Sequence, residues 1–174
     1  MQKVYIRFVL QSILLILLQV ALFNNVRIFS YLIPILYSYP LLKLPIKLDR
    51  WMMILLAAVI GLLVDMFMNT PGLNFAAFTL IGYLRNPILH LSISEESYTE
   101  LTELDSPSFT THKVWLYILY LSLCVITHTS VLFLLESFST KLFVNTLPYI
   151  LGSTSVTLVT FLIFDSIGAS RKKP

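Results

Sequence analysis

Residues 61–85 read GLLVDMFMNTPGLNFAAFTLIGYLR, and this stretch decides how the chain folds. Most of it is apolar enough to lie in a membrane, but Asp65 interrupts the apolar run and Arg85 closes it. At its centre stands the sequence TPG (70–72), which is typical of a turn between two helices. The stretch therefore predicts two membrane helices joined by almost no loop, with a carboxylate buried close to the turn.

The composition of the whole chain also indicates a membrane protein. Of its 174 residues, 57% are hydrophobic and 12% are charged, whereas a soluble domain carries roughly a quarter charged residues. The mean hydropathy is +0.83. Because a membrane helix needs about 20 apolar residues, the length allows roughly six spans with short loops. We therefore predict an all-α integral membrane protein that forms a single six-helix domain over residues 1–174.

The second of these spans is the least regular. The apolar runs place the six spans at about 4–23, 28–44, 52–69, 72–90, 114–135 and 143–165. Because the second contains Pro34, Pro40 and Pro45, we expect it to be kinked or short. The backbone groups that these prolines leave unpaired must then find partners on neighbouring helices, because lipid offers none.

The distribution of basic residues sets the predicted orientation. Six spans leave both termini on one side, and ten of the 12 Lys and Arg residues fall on that side. By the positive-inside rule this side is cytoplasmic, which predicts a multi-pass protein of the cytoplasmic (inner) membrane. The same residues can contact anionic lipid. The predicted partners therefore include membrane lipid and no nucleic acid.

One predicted cytoplasmic loop, residues 92–113, is long and acidic. Runs of charge usually need no partner, so we expect a solvated linker with some helix over 94–104. A docking surface for a basic partner is the alternative interpretation.

The turn residues predict how the hairpin at 61–85 is closed. Thr70 is a suitable N-cap, and Pro71 suits the first helical position of the fourth span. Gly61, Asp65 and Asn69 are spaced four residues apart and therefore share one face of the third span. We expect that face to point into the bundle.

Depth along the two helices predicts which side chains meet. At about 1.5 Å per residue, Asp65 and Asn74 lie within roughly 3 Å of the same depth. Asp65 can therefore reach Asn74, Asn69 or the amides that open the next helix, whose partial positive charge suits a carboxylate. Arg85 lies more than roughly 10 Å deeper. Asp165, near the cytoplasmic end of the sixth span, is its expected partner.

Two interpretations of Asp65 remain open. A charge at mid-membrane costs at least about 2.5 kcal/mol, so it should find a partner in the bundle interior. Asp65 is either a structural tie that fixes the hairpin or part of an ion, proton or substrate site. If it is only a hydrogen-bonded tie, Asp65→Asn should be mild.

No set of residues predicts catalysis or a cofactor. His90, His112 and His128 lack metal-ligand spacing, and Cys124 is the single cysteine. His128 lies in an apolar run and is expected to be a hydrogen-bonded packing residue rather than a ligand or proton site. We therefore predict a protein that is not an enzyme and that needs neither a metal nor a cofactor.

The sixth span carries small residues at helical spacing: Gly152, Ser153, Val156 and Thr157. Such a face lets helices approach closely. It can pack within the bundle or form a groove for the single membrane helix of a partner, and the sequence leaves both interpretations open.

The order of motifs within residues 30–85 resembles the family of the rod shape-determining protein MreD. The matching motifs are IPILYSYPLLKLP (33–45), GLLVD (61–65), PGL (71–73) and GYL (82–84). Their order and spacing together are fairly specific. The acidic loop 92–113 is longer than expected for the family.

This resemblance implies a non-enzymatic component of the bacterial cell-elongation complex, located in the cytoplasmic membrane beside MreC. Through MreC, such proteins help to link MreB filaments to the peptidoglycan polymerase RodA and its penicillin-binding transpeptidase, and so support lateral peptidoglycan synthesis. The family's fold is similar to the substrate-binding component of energy-coupling-factor transporters. The alternative function is therefore a small-molecule (vitamin-like) binding component of a transporter, with an outward polar pocket built from Asp65, Asn69, Asn74 and His128.

Overall fold

The computed structural model describes residues 2–23, 34–93, 95–109, 113–137 and 140–170, and within these ranges the chain forms helices joined by turns and short irregular stretches, with no strand. Helix α1 (Gln2–Leu18) continues into a π-helical turn, Gln19–Phe23, and a 3₁₀ turn, Leu36–Ser38, leads into the one-turn helix α2 (Tyr39–Leu42). The α-helices are α1 (Gln2–Leu18), α2 (Tyr39–Leu42), α3 (Arg50–Met68), α4 (Leu73–Ser92), α5 (Glu95–Glu100), α6 (Val114–Ser137) and α7 (Thr140–Ser170).

Within the described residues, three stretches of helix are long and apolar enough to cross a membrane: α3, α6 and the part of α7 from Thr146 to Gly168. The apolar stretch of α1, Ile6–Ala21, is shorter. The described part of the chain is thus all-helical and has the character of a membrane protein. The six-span count, the orientation and the single domain remain predictions.

Helix α4 lies at the centre of the described bundle. It packs against α3 on one side and α6 on the other, and α6 in turn packs against α7. The core around α4 contains large side chains with almost no exposure, among them Phe78, Tyr117, Tyr120 and Phe161. The end of the bundle where α3 turns into α4 is called the hairpin end. The opposite end, where Arg85 lies on α4, is called the Arg85 end.

The hairpin between α3 and α4 is as tight as predicted, but its caps differ from the prediction. Asn69 ends α3 in the left-handed conformation (φ 53°), and Gly72, also left-handed (φ 84°), precedes the first residue of α4. Thr70 is therefore not the N-cap, and Pro71 lies in the turn rather than in the helix. The turn needs two left-handed residues in close succession, a conformation that glycine and asparagine tolerate best.

In its described part, residues 34–44, the predicted second span is an irregular and mostly buried segment, called the irregular segment below. Residues 28–33 of that span lie outside the described ranges. From Pro34 onward the chain has no regular structure for two residues, then makes the 3₁₀ turn and the single turn of α2. Residues 34–38 and 40–42 are all buried. This segment is enclosed by helices instead of facing lipid, as irregular backbone at membrane depth must be.

Part of the acidic loop contacts the bundle, although a solvated linker was predicted, and its acidic side chains Glu100 and Glu103 are exposed. The Ile46 amide donates to the carbonyl of Asp105 at 2.8 Å, and Lys47 Nζ donates to the carbonyl of Leu101 at 2.5 Å. Leu101 and Phe109 pack against the core. The two hydrogen bonds tie the loop to the chain at residues 46–47, and the two apolar side chains anchor it on the core. The predicted helix is shorter than expected and covers only α5.

Candidate functional site

The Asp65 carboxylate is the most heavily bonded side chain at the hairpin end. Its two oxygens accept five hydrogen bonds of 2.9–3.1 Å. The donors are the amides of Gly72, Asn74 and Phe75, the hydroxyl of Thr70 and the Asn74 side chain. The carboxylate therefore caps α4 from the preceding helix, where it binds the amides that no helical carbonyl can reach.

The backbone carbonyl of Asp65 binds the amides at the end of α3. It accepts the amide of Asn69 and, at 3.2 Å, the amide of Thr70. Asn69 itself is exposed. Asp65 thus lies beside Asn74 and the amides of α4, as its depth predicted, but Asn69 contributes its left-handed backbone and not its side chain. This geometry supports the interpretation of Asp65 as a structural tie.

Gly61 is buried at the point where α3 meets the first turn of α4. A Cβ at this position would lie 2.7 Å from Phe75 Cα and 2.8 Å from the Asn74 carbonyl oxygen. Gly82 makes the equivalent approach further along, where a Cβ would lie 2.8 Å from Ala57 Cβ. The absence of a side chain at both places lets the two helices lie in close contact.

A second layer of contacts joins the hairpin to the irregular segment. The Tyr37 hydroxyl donates to Asn74 Oδ1 at 2.6 Å. The Tyr37 ring packs against Phe78 and against the edge of His128. His128 is buried as predicted, but neither of its ring nitrogens has a hydrogen-bond partner within the described residues. Its predicted hydrogen bonding is therefore not found there, and its contacts are aromatic.

Two buried polar side chains support the irregular segment at the hairpin end. Gln19 Nε2 donates to the Pro34 carbonyl at 2.9 Å, and Gln19 Oε1 accepts the Leu36 amide at 3.0 Å. The hydroxyl of Thr157 accepts the Ile35 amide at 3.0 Å. The freed backbone groups thus find partners on neighbouring helices, as predicted. On the small-residue face of α7, Thr157 and the buried Ser153 pack within the bundle.

At the other end, Arg85 supports the same segment and does not pair with Asp165. Its guanidinium donates to the carbonyls of Leu44 and Pro45 and to the hydroxyl of Tyr120. The expected ion pair with Asp165 is wrong, because the Arg85 guanidinium is bound instead by backbone carbonyls at the end of the irregular segment. Arg85 has no exposed surface, so its charge is balanced by oriented carbonyl dipoles.

Asp165 instead pairs with Lys43. Lys43 Nζ lies 2.7 Å from Asp165 Oδ1, and the carboxylate also accepts the hydroxyls of Tyr39 and Tyr117. Lys43 further donates to the carbonyl of Pro107 at 2.7 Å. This cluster ties the irregular segment, α6, α7 and the acidic loop together at the Arg85 end.

A cavity of about 230 Å³ lies at the hairpin end. It opens between the irregular segment, the α3–α4 turn and the end of α6. Of the four residues expected to build an outward polar pocket, only Asn74 lines it. The complete lining is Gln19, Ile35, Tyr37, Met68, Thr70, Leu73, Asn74, Leu132, Phe133 and Glu136.

Sequence reasoning missed the residues that serve the irregular segment, above all Gln19, Lys43 and Tyr120. A usable signal was present for Gln19, a lone amide in an apolar run shortly before a proline-interrupted segment that needs donors and acceptors. The described residues contain no group of three His, Cys, Asp or Glu side chains placed to hold a metal ion.

Comparisons of the chain with models of known protein families, with curated proteins and with solved structures find no match.

Proposed function

We propose that this chain is a non-enzymatic membrane scaffold of the bacterial cell-elongation complex, similar to MreD. In this role it binds MreC in the cytoplasmic membrane and, through MreC, supports MreB, RodA and a penicillin-binding transpeptidase during lateral peptidoglycan synthesis. The proposal combines the resemblance of residues 30–85 to that family with the way in which the buried polar groups are used.

The observation that carries the proposal is the α3–α4 hairpin. Three residues of the resemblance have distinct architectural roles in it: Gly61 allows the close helix contact, Asp65 caps α4, and Gly72 makes the turn. Arg85 and Asp165 are likewise occupied by internal partners. A scaffold needs such a fixed shape, whereas a transport or catalytic site needs polar groups that are free to meet a substrate.

The alternative, a vitamin-like binding component of a transporter, is less well supported. It requires a pocket built from Asp65, Asn69, Asn74 and His128. Asp65 is saturated by the hairpin, Asn69 is exposed, and His128 packs between aromatic rings. We therefore prefer the scaffold.

The proposal is tested by depleting the protein in its host and purifying it with its partners in mild detergent. We expect depleted cells to lose their rod shape and the purified protein to carry MreC. Complementation with Gly61→Leu, which forces α3 and α4 apart, should fail at a normal protein level. Gly168→Leu should restore the shape, because nothing lies within 4 Å of a Cβ at that position. Cells that keep their shape on depletion, together with a preparation lacking MreC, would refute the scaffold.

A further inference from the structure

The cavity at the hairpin end has one apolar wall and one polar wall. Its volume, about 230 Å³, lies just below the range of roughly 300–1,000 Å³ that holds drug-sized ligands, so it suits a smaller molecule. The apolar wall contains Ile35, Met68, Leu73, Leu132 and Phe133, and the polar wall contains Gln19, Tyr37, Thr70, Asn74 and Glu136.

The hydrogen bonds already made in the polar wall determine what it can still offer. Tyr37 donates its only hydroxyl hydrogen to Asn74, and Thr70 donates its own to Asp65. Both side-chain N–H groups of Asn74 are engaged, one by Asp65 and one by Thr70. What remains on these three side chains is a set of oxygen lone pairs, which only accept hydrogen bonds.

The other two polar side chains of the wall add to this excess of hydrogen-bond acceptors over donors. Glu136 is exposed at the end of α6, and its carboxylate has no hydrogen bond to any described residue. Gln19 retains one side-chain N–H after its bond to the Pro34 carbonyl. Four of the five polar side chains thus present acceptors alone, and one of them carries a negative charge. Such a wall repels anions and favours a cationic donor.

We propose that this cavity binds the ammonium group of a small organic amine. The ammonium donates to the oxygens of Tyr37, Thr70 and Asn74 beside the Glu136 carboxylate, and the hydrocarbon part of the amine contacts the apolar wall. The site is independent of the scaffold function. Its chemistry fits two sources, a free amine and the primary ammonium of a lipid headgroup.

The experiment uses the full chain in nanodiscs of phosphatidylcholine. The quaternary ammonium of this lipid carries no N–H and therefore cannot donate a hydrogen bond to the site. Isothermal titration calorimetry at neutral pH compares n-hexylamine with n-hexanol, which has a chain of the same length and no charge. We expect the amine to bind about tenfold more tightly than the alcohol, because its hydrogen bonds are charge-assisted. Equal affinities for the two probes, or no binding of either, would overturn the proposal.

Two matched variants locate the site. Glu136→Gln should weaken hexylamine binding by roughly fivefold, because it removes the charge at the mouth of the cavity. Glu103→Gln, at an exposed carboxylate in the acidic loop, should leave the affinity unchanged. If both variants bind the amine like the wild type, the proposed site is wrong.

The source of the ammonium is decided by changing the lipid. In nanodiscs that contain phosphatidylethanolamine, a lipid headgroup that occupies the cavity should compete with hexylamine and weaken its apparent binding. An unchanged affinity excludes the phosphatidylethanolamine headgroup and leaves a free amine as the source. A loss of cell shape on depletion bears on the scaffold alone, so the two proposals can fail separately.

Discussion

At the scale of single residues, Asp65 shows how one carboxylate can specify a turn. Its carbonyl ends α3 and its side chain begins α4, so both helix termini at the hairpin depend on the same residue. Helical rise alone predicted the contact with Asn74. It could not reveal that two carboxylate oxygens share five donors, because the path of the turn depends on the left-handed residues Asn69 and Gly72.

The number of donors changes the expectation for Asp65→Asn from mild to severe. An amide side chain has one acceptor oxygen, so its NH₂ group would face the amides of Gly72 and Phe75 that now donate to Oδ2. We expect a loss of roughly 1–3 kcal/mol in the free energy of unfolding, because an unpaired buried donor costs about 1–3 kcal/mol and these two amides are only partly buried. Thermal unfolding in detergent measures it.

The control for this substitution is Asp49→Asn. Asp49 caps α3 by accepting the amides of Trp51 and Met52, and it is exposed. Asparagine caps helices about as well as aspartate, so the melting temperature should hardly move. A similar, small change for both variants would show that the Asp65 charge is dispensable to the hairpin.

At the scale of elements, the closeness of α3 and α4 depends on the absence of two side chains. Gly61→Ala would place a methyl group against the backbone of Phe75, which cannot rotate away as a side chain could. We expect the free energy of unfolding to fall by about 1–3 kcal/mol, as for overpacking in a core.

Gly168→Ala in α7 is the matched substitution, and it should have the opposite sign. No atom lies within 4 Å of a Cβ there, so only the gain in helix propensity of about 0.5–1 kcal/mol remains. The melting temperatures of the two variants, measured side by side, test whether their stability changes have opposite signs. A Gly61→Ala protein as stable as the wild type would contradict the close approach.

The irregular segment depends on side chains from other elements, which bind its backbone groups. Gln19→Leu removes the partners of the Pro34 carbonyl and the Leu36 amide while keeping a similar volume. We expect a loss of roughly 2–4 kcal/mol in the free energy of unfolding, since two buried backbone groups become unsatisfied. Gln11→Leu, on an exposed position of α1, should be nearly neutral. Equal melting temperatures for the two variants would exclude this role of Gln19.

The sequence predicted the regular helices far better than the segment between them. Apolar length and turn residues place α3, α4 and α6 to within a few residues, because each helix satisfies its own backbone. The segment after Pro34 satisfies its backbone through Gln19, Arg85 and Thr157. Those pairings connect distant parts of the chain and therefore have no local signature. The Lys43–Asp165 pair was missed for the same reason, since the position of Lys43 depends on that segment.

At the scale of the whole molecule, buried polar contacts are divided between two ends. The hairpin end holds the Asp65 cap and the cavity, whereas the Arg85 end holds the Lys43–Asp165 pair and its contact with the acidic loop. The positive-inside rule predicts that the Arg85 end is cytoplasmic and the hairpin end faces outward.

This orientation predicts which positions a membrane-impermeant thiol reagent can reach in intact cells. Cysteine introduced at Glu136 should react from outside, and cysteine introduced at Glu103 should react only after the membrane is opened. Both positions are exposed, and the native Cys124 is buried. Labelling of position 103 but not 136 in intact cells would invert the predicted topology.

The local character of the Asp65 cap bears on how the protein is made. All its donors follow within ten residues, so the carboxylate can be saturated while the later helices are still unsynthesised. Arg85 needs the hydroxyl of Tyr120, which leaves the ribosome 35 residues later. The hairpin can therefore enter the membrane as a finished unit whose carboxylate is already hydrogen-bonded. The guanidinium at the other end obtains its full set of partners only after α6 is made.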